Sequence, residues 1–243
     1  MHNKAIRFFI LLIMPLSLTA QGKFQLTFEQ SANYSIYNFN TTLPYSIPGR
    51  ELKPRVGFES ELRLYYTPKE KLSYYVGVGF NKYNYTSGKF RVRYSDQILP
   101  KPGFELPEPE KNPPSHVKLN YSYNYLSIPV GVQYAFNKRF VVSGGLKVLR
   151  FLSVYGYSKF YYPTNWTPES NYNRKTFDNQ GYSPWVVNLE AEVGYTLPIL
   201  KYDITWKVAF EYAITDYISN KCPDLNLYPY TFSLGASFPL VKF

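Results

Sequence analysis

The chain of 243 residues has one cysteine, two histidines, two methionines and 14 glycines. A single thiol, Cys222, excludes any disulfide within the chain, and one cysteine with two histidines leaves little material for a metal centre. Neither a spaced Asp/Asn calcium loop nor a glycine-rich phosphate loop occurs, so no cofactor is expected. Beyond residue 21 no window of eighteen apolar residues exists, which excludes transmembrane helices and leaves strands as the means of crossing a bilayer. Acidic residues are few, 17 against 27 Lys and Arg, for a formal charge of +10. The basic residues form neither a run nor a helical face, so nucleic acid is not an expected partner.

Aromatic side chains are in excess: 18 Phe, 26 Tyr and 3 Trp make up 19% of the chain. Mean hydropathy is nonetheless −0.31, a value typical of water-soluble chains. With 45% hydrophobic residues the chain is not disordered, and its length suits a single all-β domain.

Residues 1–20 read as a secretory signal peptide. Lys4 and Arg7 precede a nearly unbroken apolar run from Phe8 to Leu18, and Thr19-Ala20-Gln21 supplies a small residue for cleavage after Ala20. The mature domain is then 21–243, with 25 basic and 17 acidic residues and His116 as its one histidine.

The mature sequence alternates with period two. Tyr202, Ile204, Trp206, Val208, Phe210, Tyr212 and Ile214 interleave with Asp203, Thr205, Lys207, Ala209, Glu211 and Ala213. Trp185, Val187, Leu189, Ala191, Val193, Tyr195 and Leu197 interleave with Asn188, Glu190, Glu192, Gly194 and Thr196. The same pattern recurs over Val56–Tyr66, Leu72–Phe80, Leu126–Phe136, Phe140–Val148 and Tyr228–Leu240, and less regularly over Phe24–Phe39, which makes eight strands. Their connections alternate in length. Pro68–Glu70, Asn137-Lys138 and Pro198–Leu200 are short, whereas roughly 40–53, 86–116, 160–182 and 218–227 are long and rich in Pro, Asn, Gly or charge. This predicts an eight-stranded antiparallel up-and-down transmembrane β-barrel with short periplasmic turns and long extracellular loops, integral to the outer membrane of a Gram-negative bacterium.

A soluble lipocalin-like lipid carrier, with its apolar face turned inward, would show the same alternation. The polar face favours the membrane form, because small residues dominate it where a water-exposed surface would carry abundant Lys and Glu. Tyr65, Tyr66, Tyr83, Tyr85, Tyr121, Tyr123, Tyr125, Tyr155, Tyr157, Tyr195, Tyr212, Tyr217 and Tyr228 crowd the strand ends and are expected as an aromatic girdle at the headgroups. The scattered charges of the polar face, Glu59, Glu61, Arg63, Lys147, Glu190, Glu192, Asp203, Lys207 and Glu211, are expected to form an ion-pair network in the lumen. Six acids against three bases imply lumen water or incomplete ionisation of the acids. Eight strands leave an interior that side chains just fill, which argues against a diffusion pore.

Ser233-x-Gly235-x-x-Phe238-x-Leu240 resembles the C-terminal assembly signal read by the barrel assembly machinery during insertion, displaced three residues from the terminus. Tyr125-Leu126-Ser127-Ile128-Pro129-Val130-Gly131-Val132-Gln133-Tyr134 resembles a strand motif of the PorT-like outer-membrane β-barrel family of Bacteroidetes. That resemblance implies a small eight-stranded barrel, some of whose relatives are implicated in assembling a protein secretion system. Pro129 lacks a ladder donor, so a bulge or kink is expected there.

Catalysis in an outer-membrane barrel needs a general base at the outer rim, and His116, at the foot of a Pro-rich loop, is the one imidazole on offer. Its neighbours Ser115 and Val117 form no catalytic signature, and the expected reading is non-enzymatic, with a small rim enzyme acting on lipid or peptide as the alternative. Arg50, Lys53, Arg55, Lys89, Arg91, Arg93, Lys118, Lys159, Arg174 and Lys175 fall at or beyond the outer rim, where lipopolysaccharide phosphates would attract them. The expected partners are therefore outer-membrane lipid, lipopolysaccharide and an envelope protein met by the loops.

Overall fold

The protein is described by a computed structural model covering residues 23–41, 52–91, 115–161, 175–176, 182–199, 202–217 and 225–242. Residues 1–20, expected from the sequence as a signal peptide, Cys222 and most of the long connections lie outside these residues. Among the described residues the chain forms β1 (Lys23–Thr41), β2 (Leu52–Lys69), β3 (Leu72–Ser87), β4 (Phe90–Arg91), β5 (His116–Ala135), β6 (Phe140–Tyr161), β7 (Lys175–Thr176), β8 (Trp185–Ile199), β9 (Tyr202–Ala213) and β10 (Leu225–Lys242).

The eight long strands pair antiparallel in sequence order, and β1 pairs with β10 from Gln25 opposite Lys242 to Thr41 opposite Leu225, closing the ring. Closure leaves no open edge around the ring, a requirement where no water can pair backbone groups. The two-residue strands extend the wall at its long-loop end, β4 on β5 and β7 on β6. β6 runs on to Tyr161, well past Arg150, its last partner to β8. The barrel is thus taller on the side of β3, β5 and β6 than on the side of β8 and β9. At the opposite end, the turn between β5 and β6 is tied by Asn137, whose Oδ1 accepts from the amides of Arg139 and Phe140, both at 2.8 Å.

The alternating apolar set points outward. Trp185, Trp206 and Phe210 are 49%, 48% and 40% exposed, a sorting opposite to that of a lipocalin. Aromatic pairs mark both margins of this apolar wall: Phe24 with Tyr66, Tyr134 with Phe136 and Phe140 with Tyr195 at the short-turn end, Phe58 with Phe80 and Phe210 with Phe232 toward the loops.

Several tyrosines expected in the girdle are inside. Tyr65, Tyr83, Tyr85, Tyr123, Tyr125 and Tyr217 are buried, and Tyr121 packs partly buried against the same interior cluster. Their strand parity explains it: Tyr83 and Tyr85 share the face of lumen Asn81, whereas Val76 and Val78 take the other face. Tyr66, Tyr195 and Tyr212 do lie on the lipid-side face.

At Pro129 the expected bulge does not form, although the pairs Gly77 with Pro129 and Val78 with Ile128 drop out of the β3–β5 ladder, as the missing donor implies. Val76 stays opposite Val130 and Gly79 opposite Ser127, so the register is continuous across it. The proline is buried and lies over Gly77, where a side chain would collide with its ring. Register shifts fall elsewhere: at Val56-Gly57 and again between Tyr66 and Lys69 in β2, at Leu152 in β6 and at Leu240 in β10. Each adds one residue to its strand and swaps which parity faces out.

Tyr75 enters the lumen over two facing glycines, Gly131 and Gly145. A Cβ on Gly145 would stand 2.9 Å from the Tyr75 hydroxyl and 2.8 Å from the Gly131 Cα. Gly145→Val is therefore expected to destabilise the barrel by about 1–3 kcal/mol, read as a lower urea midpoint for loss of the compact, unheated gel species.

Candidate functional site

The lumen is filled in three layers. At the short-turn end, Gln25, Thr27, Thr67, Ser73, Gln133, Thr205 and Ser237 surround a polar cavity of about 80 Å³. The middle layer is ionic, and above it toward the loops lies an aromatic layer.

Three cations organise the ionic layer. Arg63 on β2 reaches Glu29 at 3.3 Å, Glu61 at 2.7 Å, and Glu190 and Glu192 at 2.8 Å each, with its guanidinium 4.8 Å from the centre of the Tyr75 ring. Lys147 on β6 pairs with Glu59, with Glu61 at 3.1 Å, Glu190 at 3.0 Å and Glu211 at 2.7 Å. Lys207 on β9 pairs with Glu29 at 2.7 Å and Glu192 at 3.3 Å. These nine side chains are at most 10% exposed. Neutral donors complete the carboxylate shells: Tyr65 to Glu29 (2.9 Å), Ser127 to Glu61 (3.2 Å), Ser143 to Glu192 (2.6 Å) and Asn188 to Glu211 (3.0 Å). Buried charge is tolerated on such terms, paired and multiply hydrogen-bonded.

The structure thus brings together eight of the nine residues that alternation assigned to the lumen network. The exception is Asp203. Its parity is inward, but it is the second residue of β9 and stands exposed at the short-turn mouth. Glu29 takes its place and was missed because β1 alternates weakly; its inward position follows from Leu26 and Phe28 on the other face. The balance remains six carboxylates to three bases, a charge of −3 if every group is ionised. Oxygens of Glu59, Glu61 and Glu190 converge within 4.8 Å of one another, the geometry of a cation cage. The Lys147 ammonium, paired with all three, already supplies the positive charge there.

The aromatic layer consists of Tyr83, Tyr85, Tyr123, Tyr125, Leu149, Phe151, Val154 and Val186, covered by Tyr182 and Tyr217 from the loop side. Tyr182 stacks on Phe151 with centroids 5.0 Å apart, and the Tyr217 hydroxyl bonds Asn188, 3.2 Å from its Oδ1. Burial raises the pKa of both of these loop hydroxyls.

The other sequence-assigned residues are dispersed. His116 is exposed, its Nδ1 3.1 Å from the Ser115 hydroxyl, which itself donates to the Tyr161 carbonyl at 3.0 Å. Lys53, Arg55, Lys89, Lys118 and Lys159 lie at the long-loop end of the wall. Arg50, Arg93 and Arg174, and the side chains of Arg91 and Lys175, fall outside the described residues. On β10, Ser233 and Gly235 occupy inward positions, while Phe238 and Leu240 face lipid.

A closed antiparallel ring, apolar outside and charged within, defines a membrane-spanning β-barrel. The chain belongs to the family of outer membrane protein beta-barrel domains, whose model matches residues 19–219, and it is an integral outer-membrane protein. No curated protein matches it. Among solved structures it is similar to the attachment invasion locus protein Ail of Yersinia pestis, at 14% identity and TM-score 0.39 over 92% of this chain and 100% of that one. It is also similar to OprG of Pseudomonas aeruginosa, at 14% identity and TM-score 0.41 over 91% and 96%. The outer membrane protease OmpT of Escherichia coli is a further match, at 10% identity and TM-score 0.39 over 91% and 98%.

The excess of acid makes the network asymmetric toward substitution. Lys147→Met strips four carboxylates of a shared cation and is expected to cost about 3–5 kcal/mol. Glu59→Gln removes one of the surplus negative charges and is expected to cost clearly less, both measured by urea titration of the folded barrel in detergent.

Proposed function

We propose that this protein is a non-enzymatic outer-membrane barrel that acts from its extracellular end, its loops and rim binding a partner protein or envelope component. The carrying observation is the filled lumen. An ionic layer and an aromatic layer occupy successive levels of it, and the polar cavity at the short-turn end is about 80 Å³, room for a few waters. Among the described residues these layers leave no continuous path for a solute, and this supports the outer surface as the place where the barrel acts. Part of that surface stands on the taller wall of β3, β5 and β6.

The non-enzymatic reading is supported at His116, whose neighbour Ser115 is engaged by a backbone carbonyl. The resemblance of residues 125–134 to PorT-like barrels extends the proposal to a place in the assembly of a secretion system.

In planar bilayers the purified full-length barrel is expected to show no steady single-channel current. Gentle solubilisation of outer membranes should co-purify an envelope component in fixed ratio. A steady ohmic channel, or a barrel that purifies alone from its own membrane, would overturn the proposal.

A further inference from the structure

We infer that the outer wall of β2, β3, β5 and β6, just above the lipid-facing band, binds the phosphate groups of an outer-leaflet glycolipid. The inference rests on the proposed extracellular role and names the chemistry of the component bound there.

Two bulges create the surface. Beyond Val56-Gly57, Lys53 and Arg55 face outward opposite Thr86 and Asn84, and beyond Leu152, Tyr157 and Lys159 do so opposite Asn120 and Lys118. Lys82 adds a further cation at the lower margin, 5.9 Å from the centre of the lipid-facing Phe58 ring. The resulting patch is polar and strongly one-signed. The only carboxylates in these four strands are Glu59 and Glu61, and both are committed inside the lumen.

The cations are arranged against their own repulsion. Lys118 and Lys159 stand directly opposite each other across the β5–β6 ladder, a placement that destabilises a sheet unless an anion offsets it. Lys89 and Lys159 approach the same Tyr161 ring, at 3.9 and 5.8 Å from its centre. Arg55 donates to the neutral Asn120 Oδ1 and Tyr157 hydroxyl, both at 3.4 Å, which orients its guanidinium without neutralising it. An anion with several acceptor oxygens answers this arrangement. The patch is continuous below with Phe58, Phe80 and Leu126 on the lipid face, so the occupant that fits both is an amphiphile whose phosphate meets the cations while its acyl chains lie on the band.

The test uses the full-length protein in detergent micelles, titrated with fluorescent lipopolysaccharide. K118E/K159E is expected to bind roughly tenfold more weakly or worse, with heat-modifiable gel migration unchanged, while K138E at the opposite turn binds as wild type. The neutral pair K118Q/K159Q guards against a folding artefact and should lose affinity in the same direction. Enzymatically dephosphorylated lipopolysaccharide should lose affinity for the wild type. Equal binding by wild type and both double variants, or indifference to lipid phosphate, would overturn the inference. So would inorganic phosphate binding as tightly as the lipid, or lipid binding that emerges only after Glu105, Glu108 and Glu110 are neutralised, which would place this chain's own acidic segment on the patch. These readouts are independent of channel current and of the co-purified partner, so the wider proposal and the lipid site can fail separately.

Discussion

A backbone amide in hydrocarbon has no water to bond, and the closure of β1 on β10 is the interaction on which the rest of this structure depends. Once the ring is closed, each strand has one face against lipid and one against a space barely wider than its side chains. The outward positions must then be apolar along the band, and the inward positions must satisfy one another. Chain-average hydropathy of −0.31 is the mean of those two opposed surfaces.

Inside, the same constraint governs the charges. Arg63, Lys147 and Lys207 each serve several carboxylates drawn from β1, β2, β8 and β9, so the network crosses the lumen and links walls that share no backbone ladder. Removing a shared cation exposes several acids at once, whereas removing an acid relieves an excess. The aromatic layer above, with Tyr182 and Tyr217 over it, shields the ionic layer from the loop side.

Much of this was legible in the sequence, because in β8 and β9 the two faces differ sharply in chemistry and the period is unmistakable. The network followed from parity, as did its acid excess. Residue type misled where parity would not have: Tyr83, Tyr85, Tyr123 and Tyr125 were assigned to the headgroups as amphipathic rings, yet they alternate with outward positions and so belong to the lumen. Glu29 was hidden by the irregular face of β1, and Asp203 has inward parity but sits at the mouth, where the wall ends. The bulges at Val56-Gly57 and Leu152 leave no clear compositional mark, so the outward basic patch they create could be guessed as rim charge but not located. Pro129 advertised a bulge that Gly77 made unnecessary by giving the ring room.

The sorting of lipid-facing from lumen-facing residues is most directly measured at Trp206, 48% exposed on β9 and adjacent in sequence to Lys207 of the network. In a variant whose other two tryptophans, Trp166 and Trp185, are replaced by Phe, fluorescence should be strongly quenched by lipids brominated on their acyl chains and hardly touched by aqueous iodide. Emission indifferent to brominated lipid would place Trp206 inside the barrel and contradict the assignment of both faces.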